Sequence, residues 1–331
     1  MPKRTIRYAV AILSLALVLG GQSAAAPPDR MITVGLLSSG PPQRWAMIEA
    51  ALAEGLAAQG YVEGKNLVLL RRNATFPDHR MAQHVEELLG RNVDAIVTTR
   101  TWSTGIATRA TRTTPIIMGA ATDPVGSGFV KSLAQPGTNV TGSTGQVPDL
   151  APKMLDTLRA GLPDARIIGV LRNTSNAIHD ARMRELEAVG RALDLSLVQL
   201  DLRRFQSEKA AQEVLRETRV QALLVLPDDD LFWEFLGRFG PAAESMKIPT
   251  FFPKRDLVEW AGGLMSYGPH SVEVFRRSAV YVDKIVNGAK PHELPVEQPT
   301  QLELAVNLKR AQAYGITFPR SLLMRADATV R

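Results

Sequence analysis

No cysteine occurs anywhere in the 331 residues. That single absence excludes disulfides, thiolate metal sites and a cysteine nucleophile. It also excludes a lipid-anchored cysteine behind a leader. Histidine is scarce: His79, His84, His179, His270 and His292 are dispersed along the chain. His79 and His84 stand five residues apart, a spacing that does not share a helix face for metal binding, and each histidine is expected at the surface. No metal site and no cofactor are therefore expected. The chain also lacks a G-x-S-x-G elbow, a G-x-x-x-x-G-K-[ST] phosphate loop, a G-x-G-x-x-G turn and an H-E-x-x-H helix. Together these absences favour binding over catalysis, so the chain is not expected to be an enzyme. A basic face with interleaved aromatics is missing too, and Lys and Arg sit among acids, as in Arg182, Arg184, Glu185 and Glu187. Nucleic acid is thus not an expected partner.

What is present begins with a leader-like start. Lys3, Arg4 and Arg7 precede an apolar run from Ala9 to Leu19, followed by small residues at Ser23, Ala24, Ala25 and Ala26. This is the charge, apolar core and small-residue order of a secretory signal. The alternative is an uncleaved anchor, but the apolar run is short against the roughly 20 residues a bilayer requires. Cleavage is expected after Ala24 or Ala25, giving a soluble, exported protein. Loss of the three leader cations brings the formal charge of +6 down to about +3, an ordinary solvated surface.

Beyond the leader, short β-type runs alternate with amphipathic helical stretches. Ile32 to Leu37 is a near-continuous apolar strand, and Trp45, Ile48, Leu52 and Leu56 then recur at helical spacing. Leu67 to Leu70, Val93 to Val97 and Pro115 to Met118 continue the strand series. Continuous rather than alternating apolar strands imply burial on both faces, the mark of a parallel sheet. A Gly/Thr/Ser-rich stretch from Pro136 to Gly145 reads as a strand ending in a crossing segment. The βα rhythm then restarts, with strands at Ile167 to Leu171, Leu195 to Leu200, Ala222 to Leu226 and Pro249 to Phe252. The restart suggests a second lobe built like the first, although no residue-level repeat is visible. Gly263 to Tyr267, a long helix through Val272 and Val286, and a strand from Leu302 to Val306 end the series. A chain that finishes one lobe and then adds a helix and a strand is expected to cross between lobes more than once. Several crossings make a hinge that closes on a ligand.

In parallel α/β sheets ligands sit beyond the carboxyl ends of strands. Those positions carry short hydroxyls, amides and a few charges. Ser38 and Ser39 stand before a helix, where hydroxyls and backbone N–H groups could hold a carboxylate; plain N-capping is the alternative. Thr98, Thr99 and Thr101 invite the same comparison. Arg100 could clamp an anion, though an outward-facing surface arginine is the plainer expectation. Asp123-Pro124 reads as a helix start, with Asp as cap and ligand contact secondary. In Asp228-Asp229-Asp230, capping plus one inward carboxylate is expected. Lys254 and Tyr267 could supply a charge partner and a stacking ring, or simply snorkel and pack.

Several long stretches resemble one known family. Asp123-Pro-Val-Gly-Ser-Gly-Phe-Val-Lys-Ser-Leu-Ala-Gln-Pro-Gly-Thr-Asn-Val-Thr-Gly142 is similar to a signature of bacterial ABC transporter substrate-binding proteins of the tryptophan- and tyrosine-type branch. So are Gly60 to Asn66, Gly262 to Gly268, Tyr281 to Pro291 and Leu294 to Thr300. The resemblance spans roughly residues 31 to 328. It implies a type I periplasmic-binding fold: two Rossmann-like lobes with parallel sheets joined by a multi-segment hinge. On that pattern residues 1–25 are signal peptide, 31–143 plus 268–298 the first lobe, and 144–267 plus 299–331 the second. Thr101, Asp123, Asn173, Asp229 and Tyr267 fall where family members carry ligand-facing groups. Arg100, Trp102 and the Arg172-Asn173-Thr174 run depart from the usual residues there.

The reading that follows is a monomeric periplasmic binder that delivers an amino acid or similar carboxylate to an ABC transporter permease. Its expected ligand-binding set is Ser38, Ser39, Thr99, Thr101, Asp123, Asn173, Asp229 and Tyr267, with Trp102 as an alternative cover. Ser38, Ser39 and Thr101 would take the carboxylate-like end, and Asp229, with Asp123, a cationic end. Two rival readings stand beside it: a sensory protein of the same fold feeding a receptor, and a two-lobed α/β enzyme.

Overall fold

The computed structural model describes residues 30–39, 42–74, 79–145, 147–174, 177–205, 207–227 and 235–331. Two β-sheets carry the architecture. The first is built from β1 (Ile32–Ser39), β2 (Leu67–Ala74), β3 (Ala95–Thr98), β4 (Ile116–Ala121) and β5 (Val140–Thr144). They lie in the order β2-β1-β3-β4-β5, and every pairing is parallel. The second sheet holds β6 (Ile167–Arg172), β7 (Ser196–Asp201), β8 (Ala222–Val225), β9 (Thr250–Phe252), β10 (Met265–Pro269), β11 (Leu302–Asn307) and β12 (Ala328–Val330). Its order is β12-β11-β10-β9-β8-β6-β7. Read from β7 to β10, it repeats the 2-1-3-4-5 order of the first sheet, so the restart of the βα rhythm does mark a second unit of the same plan.

The strand sequences explain the burial. Ala-Ile-Val-Thr in β3 and Ala-Leu-Leu-Val in β8 are buried at every position, as strands covered by helices on both faces must be. Crossover helices supply that cover: α1 (Pro42–Ala58), α2 (Arg80–Gly90) and α3 (Thr101–Ala110) around the first sheet, α4 (Leu150–Gly161), α5 (Ala177–Ala192) and α6 (Glu208–Thr218) around the second. In α2 the buried residues Met81, Val85 and Leu88 recur every three or four positions, the amphipathic helical period. One pairing departs from the parallel arrangement of these sheets. β11 runs antiparallel to β10, with Tyr267 opposite Leu304, because the chain returns to this sheet after leaving it and re-enters from the other end.

That excursion links the two units. After β10 the chain leaves as the helix Ser271–Val286, and its Phe275, Ala279, Val282 and Ile285 pack with Ile32, Val34, Ile48 and Leu52 of the first core. Gly55 of α1 makes this packing feasible: a Cβ there would stand 2.4 Å from the Arg276 carbonyl oxygen and 2.9 Å from the Ala279 Cβ. The following segment lies along β5, where Glu297 accepts the Thr144 N–H at 2.9 Å and donates its own N–H to Gly142 at 2.9 Å. It then enters the second sheet as β11. Counting the passage from β5 into α4, whose Leu150, Met154 and Leu158 belong to the second core, the chain passes between the cores three times.

Candidate functional site

In a sheet of order 2-1-3-4-5 the chain turns in opposite directions from β1 and β3, which leaves a crevice at their carboxyl ends. Here those ends are Ser38-Ser39 and Thr98-Thr99, which stand side by side because Leu37 pairs with Thr98. The Ser39 N–H donates to the Thr99 hydroxyl at 3.0 Å. The Thr98 and Thr104 hydroxyls share a bond of 2.6 Å, and Thr104 also donates to the Arg100 carbonyl at 2.8 Å. Ser103 accepts the Arg100 N–H at 3.2 Å. The Thr98, Ser103 and Thr104 hydroxyls are occupied in shaping the β3–α3 turn, whereas Thr99 accepts from β1 and keeps its own proton. The Ser38 and Ser39 hydroxyls are not so occupied: both residues are buried, at 0% and 2% exposure, and neither Oγ has a hydrogen-bond partner among the described residues. A buried polar group without a partner costs about 1–3 kcal/mol, so each marks a place where an incoming group would be stabilised.

Thr101 and Asp123 lie at the same edge. The Thr101 hydroxyl accepts the Thr122 N–H at 3.0 Å, tying α3 to the end of β4, and its own proton remains available to donate. Asp123 accepts the Gly126 N–H at 2.9 Å. Residues 124–128 form a turn rather than the helix expected after Asp123-Pro124; the positive φ of Gly128, +72°, is incompatible with continued helix. The structure thus brings Ser38, Ser39, Thr99, Thr101 and Asp123 to one edge of the first sheet.

Arg100 corrects another expectation, being buried at 4% exposure rather than turned to solvent. It sits at the head of α3 with its backbone held by Ser103 and Thr104. Trp102 departs from the set. It lines a groove of about 460 Å³ with His79, Ala82, Glu86, Ile106 and Arg109 between α2 and α3, and so is not assembled with the strand-end hydroxyls.

The second sheet presents the equivalent crevice between β6 and β8. The Asn173 N–H donates to His179 Nδ1 at 2.9 Å, and His179 Nε2 lies 3.3 Å from the Pro227 carbonyl oxygen. His179 is fully buried, contrary to the expected surface position, and it ties the two strand ends together. Thr122 and Gly145 from the first sheet join His179 and Pro227 around a recess of about 20 Å³, so the two strand-end edges meet there. Tyr267 is half-buried against the second core, three strand steps from β6, or roughly 14 Å at the usual strand spacing. Asp229 lies outside the described residues, as do Asp228 and Asp230. Among the described residues, no group of three or more His, Asp or Glu side chains could hold a metal ion.

Two residues with no signal at the sequence level complete the geometry. Arg44, the third residue of α1, donates Nη1 to Asp256, in the first turn of the helix Arg255–Trp260 after β9. The ion pair joins a helix of the first core to a helix on the second sheet, and the two side chains are only 2% and 7% exposed. An Arg and an Asp more than two hundred residues apart are indistinguishable in sequence from surface charges.

Residues 42–330 match the family described as ABC transporter substrate binding protein. The chain belongs to that family. A tyrosine-binding protein of Clostridioides difficile (strain R20291) is 25% identical over 254 residues, 77% of this chain and 72% of the relative. Among solved structures, a conserved domain protein from Vibrio cholerae is 28% identical with a TM-score of 0.78, over 91% of this chain and all of that one. An ABC domain from Streptococcus pneumonia in complex with L-Trp also has a TM-score of 0.78, at 24% identity over 91% of this chain and 100% of that chain. The two-lobed fold inferred from the strand pattern is thus the periplasmic-binding type. The family is one of solute binders rather than enzymes, and among the described residues of this substrate-binding protein no helix is long and apolar enough to cross a membrane.

Proposed function

We propose that this substrate-binding protein captures an amino acid or similar carboxylate between its lobes and delivers it to the permease of an ABC importer. The observation that carries the reading is the pair of buried, unpartnered Ser38 and Ser39 hydroxyls at the crevice between β1 and β3. They stand ahead of the 17-residue helix α1, whose N-terminus favours a negative group. Thr101 adds a third donor, and Tyr267 offers a ring from the second sheet. The tyrosine-binding relative and the L-Trp-bound neighbour support an amino acid over a sugar. On this reading the protein acts as a monomer in the periplasm, after cleavage of the leader after Ala24 or Ala25 and without a lipid anchor.

A thermal-shift screen of the purified protein against L-amino acids, short peptides, sugars and dicarboxylates tests it. A true ligand at about 100 times its dissociation constant adds about 2.7 kcal/mol of stability. A saturable shift with one or a few amino acids is expected, and it should weaken in Thr101→Ala. Response to sugars alone would overturn the carboxylate assignment, and conversion of the bound solute to a product would overturn the binder assignment.

A further inference from the structure

We propose that Arg44 and Asp256 form a charge-matched latch between the two lobes, each charge making the burial of the other tolerable so that this protein can stand closed before any ligand arrives. Arg44 projects from the first turn of α1 over the first sheet, and Asp256 from the first turn of the helix after β9 on the second. Their contact requires the two strand-end edges to face one another. Both side chains are withdrawn from water in that state, at 2% and 7% exposure. Arg44 also keeps a buried Nε with no acceptor among the described residues, and as a cation near a helix N-terminus it meets an unfavourable dipole. Asp256 is the counter-charge that makes its burial tolerable.

The energetics make this a poised latch rather than a lock. Forming a buried ion pair exchanges hydration for attraction, and the two nearly cancel. Separation of the lobes rehydrates both groups at little net change. Removal of one partner is different. It leaves a lone charge buried in the closed state and hydrated in the open one, so it acts on closure alone. A protein already partly closed requires less of its ligand, because apparent affinity scales with the fraction in the binding-competent state.

The test needs no ligand, so it stands or falls separately from the proposed solute class. The chain has no native cysteine, and Gln83 in α2 and Glu213 in α6 are exposed, so Gln83→Cys and Glu213→Cys give two clean spin-label sites, one per lobe. Pulsed dipolar distances in the unliganded protein should show a predominant population near the distance of this structure. Asp256→Asn should move most of that population to a different separation, a change of about tenfold in the open-to-closed ratio. The double variant Arg44→Met with Asp256→Leu replaces the pair by apolar groups of similar volume and should close the lobes again. That return separates loss of the latch from loss of the fold. Because the pair is shielded from solvent, about 1 M salt should leave the wild-type distances in place. Distances unchanged by Asp256→Asn in a protein with its normal melting profile overturn the proposal, as does a double variant that stays as open as the single one.

Discussion

Tyr61 donates its hydroxyl to Asp283 at 2.9 Å, tying the turn after α1 to the helix that returns from the second sheet 222 residues later. Asn287 Nδ2 joins the same carboxylate at 2.9 Å. Tyr61 is 1% exposed, and burial first, with the Asp283 hydrogen bond second, holds its hydroxyl proton well above the ordinary phenol range. Tyr281 is raised likewise, by burial first and then by the charge of Glu297.

A pH dependence follows with a definite sign. In the unfolded chain these phenols ionise near pH 10, whereas in the folded protein they stay protonated. Their contribution is therefore fully present below about pH 10 and is lost as pH rises beyond it. Urea midpoints should be flat from neutral pH to about 9 and should fall above 10. Tyr61→Phe should lower the midpoint at neutral pH by the equivalent of about 2 kcal/mol and make the alkaline fall shallower. A fall just as steep in Tyr61→Phe would remove Tyr61 from the account.

The contact between α1 and the returning helix is equally specific at Gly55. Any Cβ there meets the Arg276 carbonyl and Ala279, neither of which can swing aside as a long side chain would. Gly55→Ala should therefore destabilise the first lobe by about 1–3 kcal/mol, despite alanine being the better helix former. A variant as stable as the parent, measured by chemical denaturation, would show that the two helices can separate without loss.

Ala120 offers the opposite change. It sits at the carboxyl end of β4 with φ of +127°, where the pairing register with β5 shifts between Gly119 and Ala121. A non-glycine residue in such a region carries on the order of 1–3 kcal/mol of strain, more than the roughly 0.5–1 kcal/mol that glycine loses in chain entropy. Ala120→Gly should raise stability by about 1 kcal/mol, and Ala120→Val should lower it. Calorimetry of the pair decides the matter, since equal melting temperatures would mean the strain is not there. The position adjoins Thr122 and Asp123, so the strained backbone lies beside the candidate site.

Much of this fold could be read from local pattern. The continuous apolar strands and the helix through Val272 and Val286 announced themselves by period, because burial on both faces or along one stripe is a local property of the chain. Short or edge elements did not. β12, three residues long and half-exposed, has too few positions to show a period. Directions were also hidden: nothing in Leu302 to Asn307 states that the strand arrives antiparallel. For the candidate site, the strand-end rule expects Ser38, Ser39, Thr99, Thr101 and Asp123 at one sheet edge, and they lie there, since topology alone places them. It could not show which hydroxyls were already spent. Arg44 with Asp256, and His179 with Asn173 and Pro227, depend on contacts between distant segments, and no local pattern encodes those.

The difference between spent and unspent hydroxyls gives the sharpest test of the site. Ser39 uses its backbone N–H on Thr99, and its own Oγ is buried with no partner among the described residues. Ser39→Ala therefore removes no bond present in the unliganded protein, so stability should hold or rise by up to about 1 kcal/mol. Its loss should appear in binding: a hydroxyl donating to a charged ligand group is worth about 1.5–3 kcal/mol, or roughly tenfold to a hundredfold in affinity. Thr99→Val should behave in reverse. It keeps the side-chain shape but strips the acceptor from the Ser39 N–H, so stability should fall by about 1–2 kcal/mol with a smaller loss of affinity. Titration calorimetry beside urea denaturation, run on both variants with the amino acid that gives the largest thermal shift, separates the two roles. If Ser39→Ala bound as tightly as the parent, the ligand's anionic group would have to lie elsewhere in the cleft.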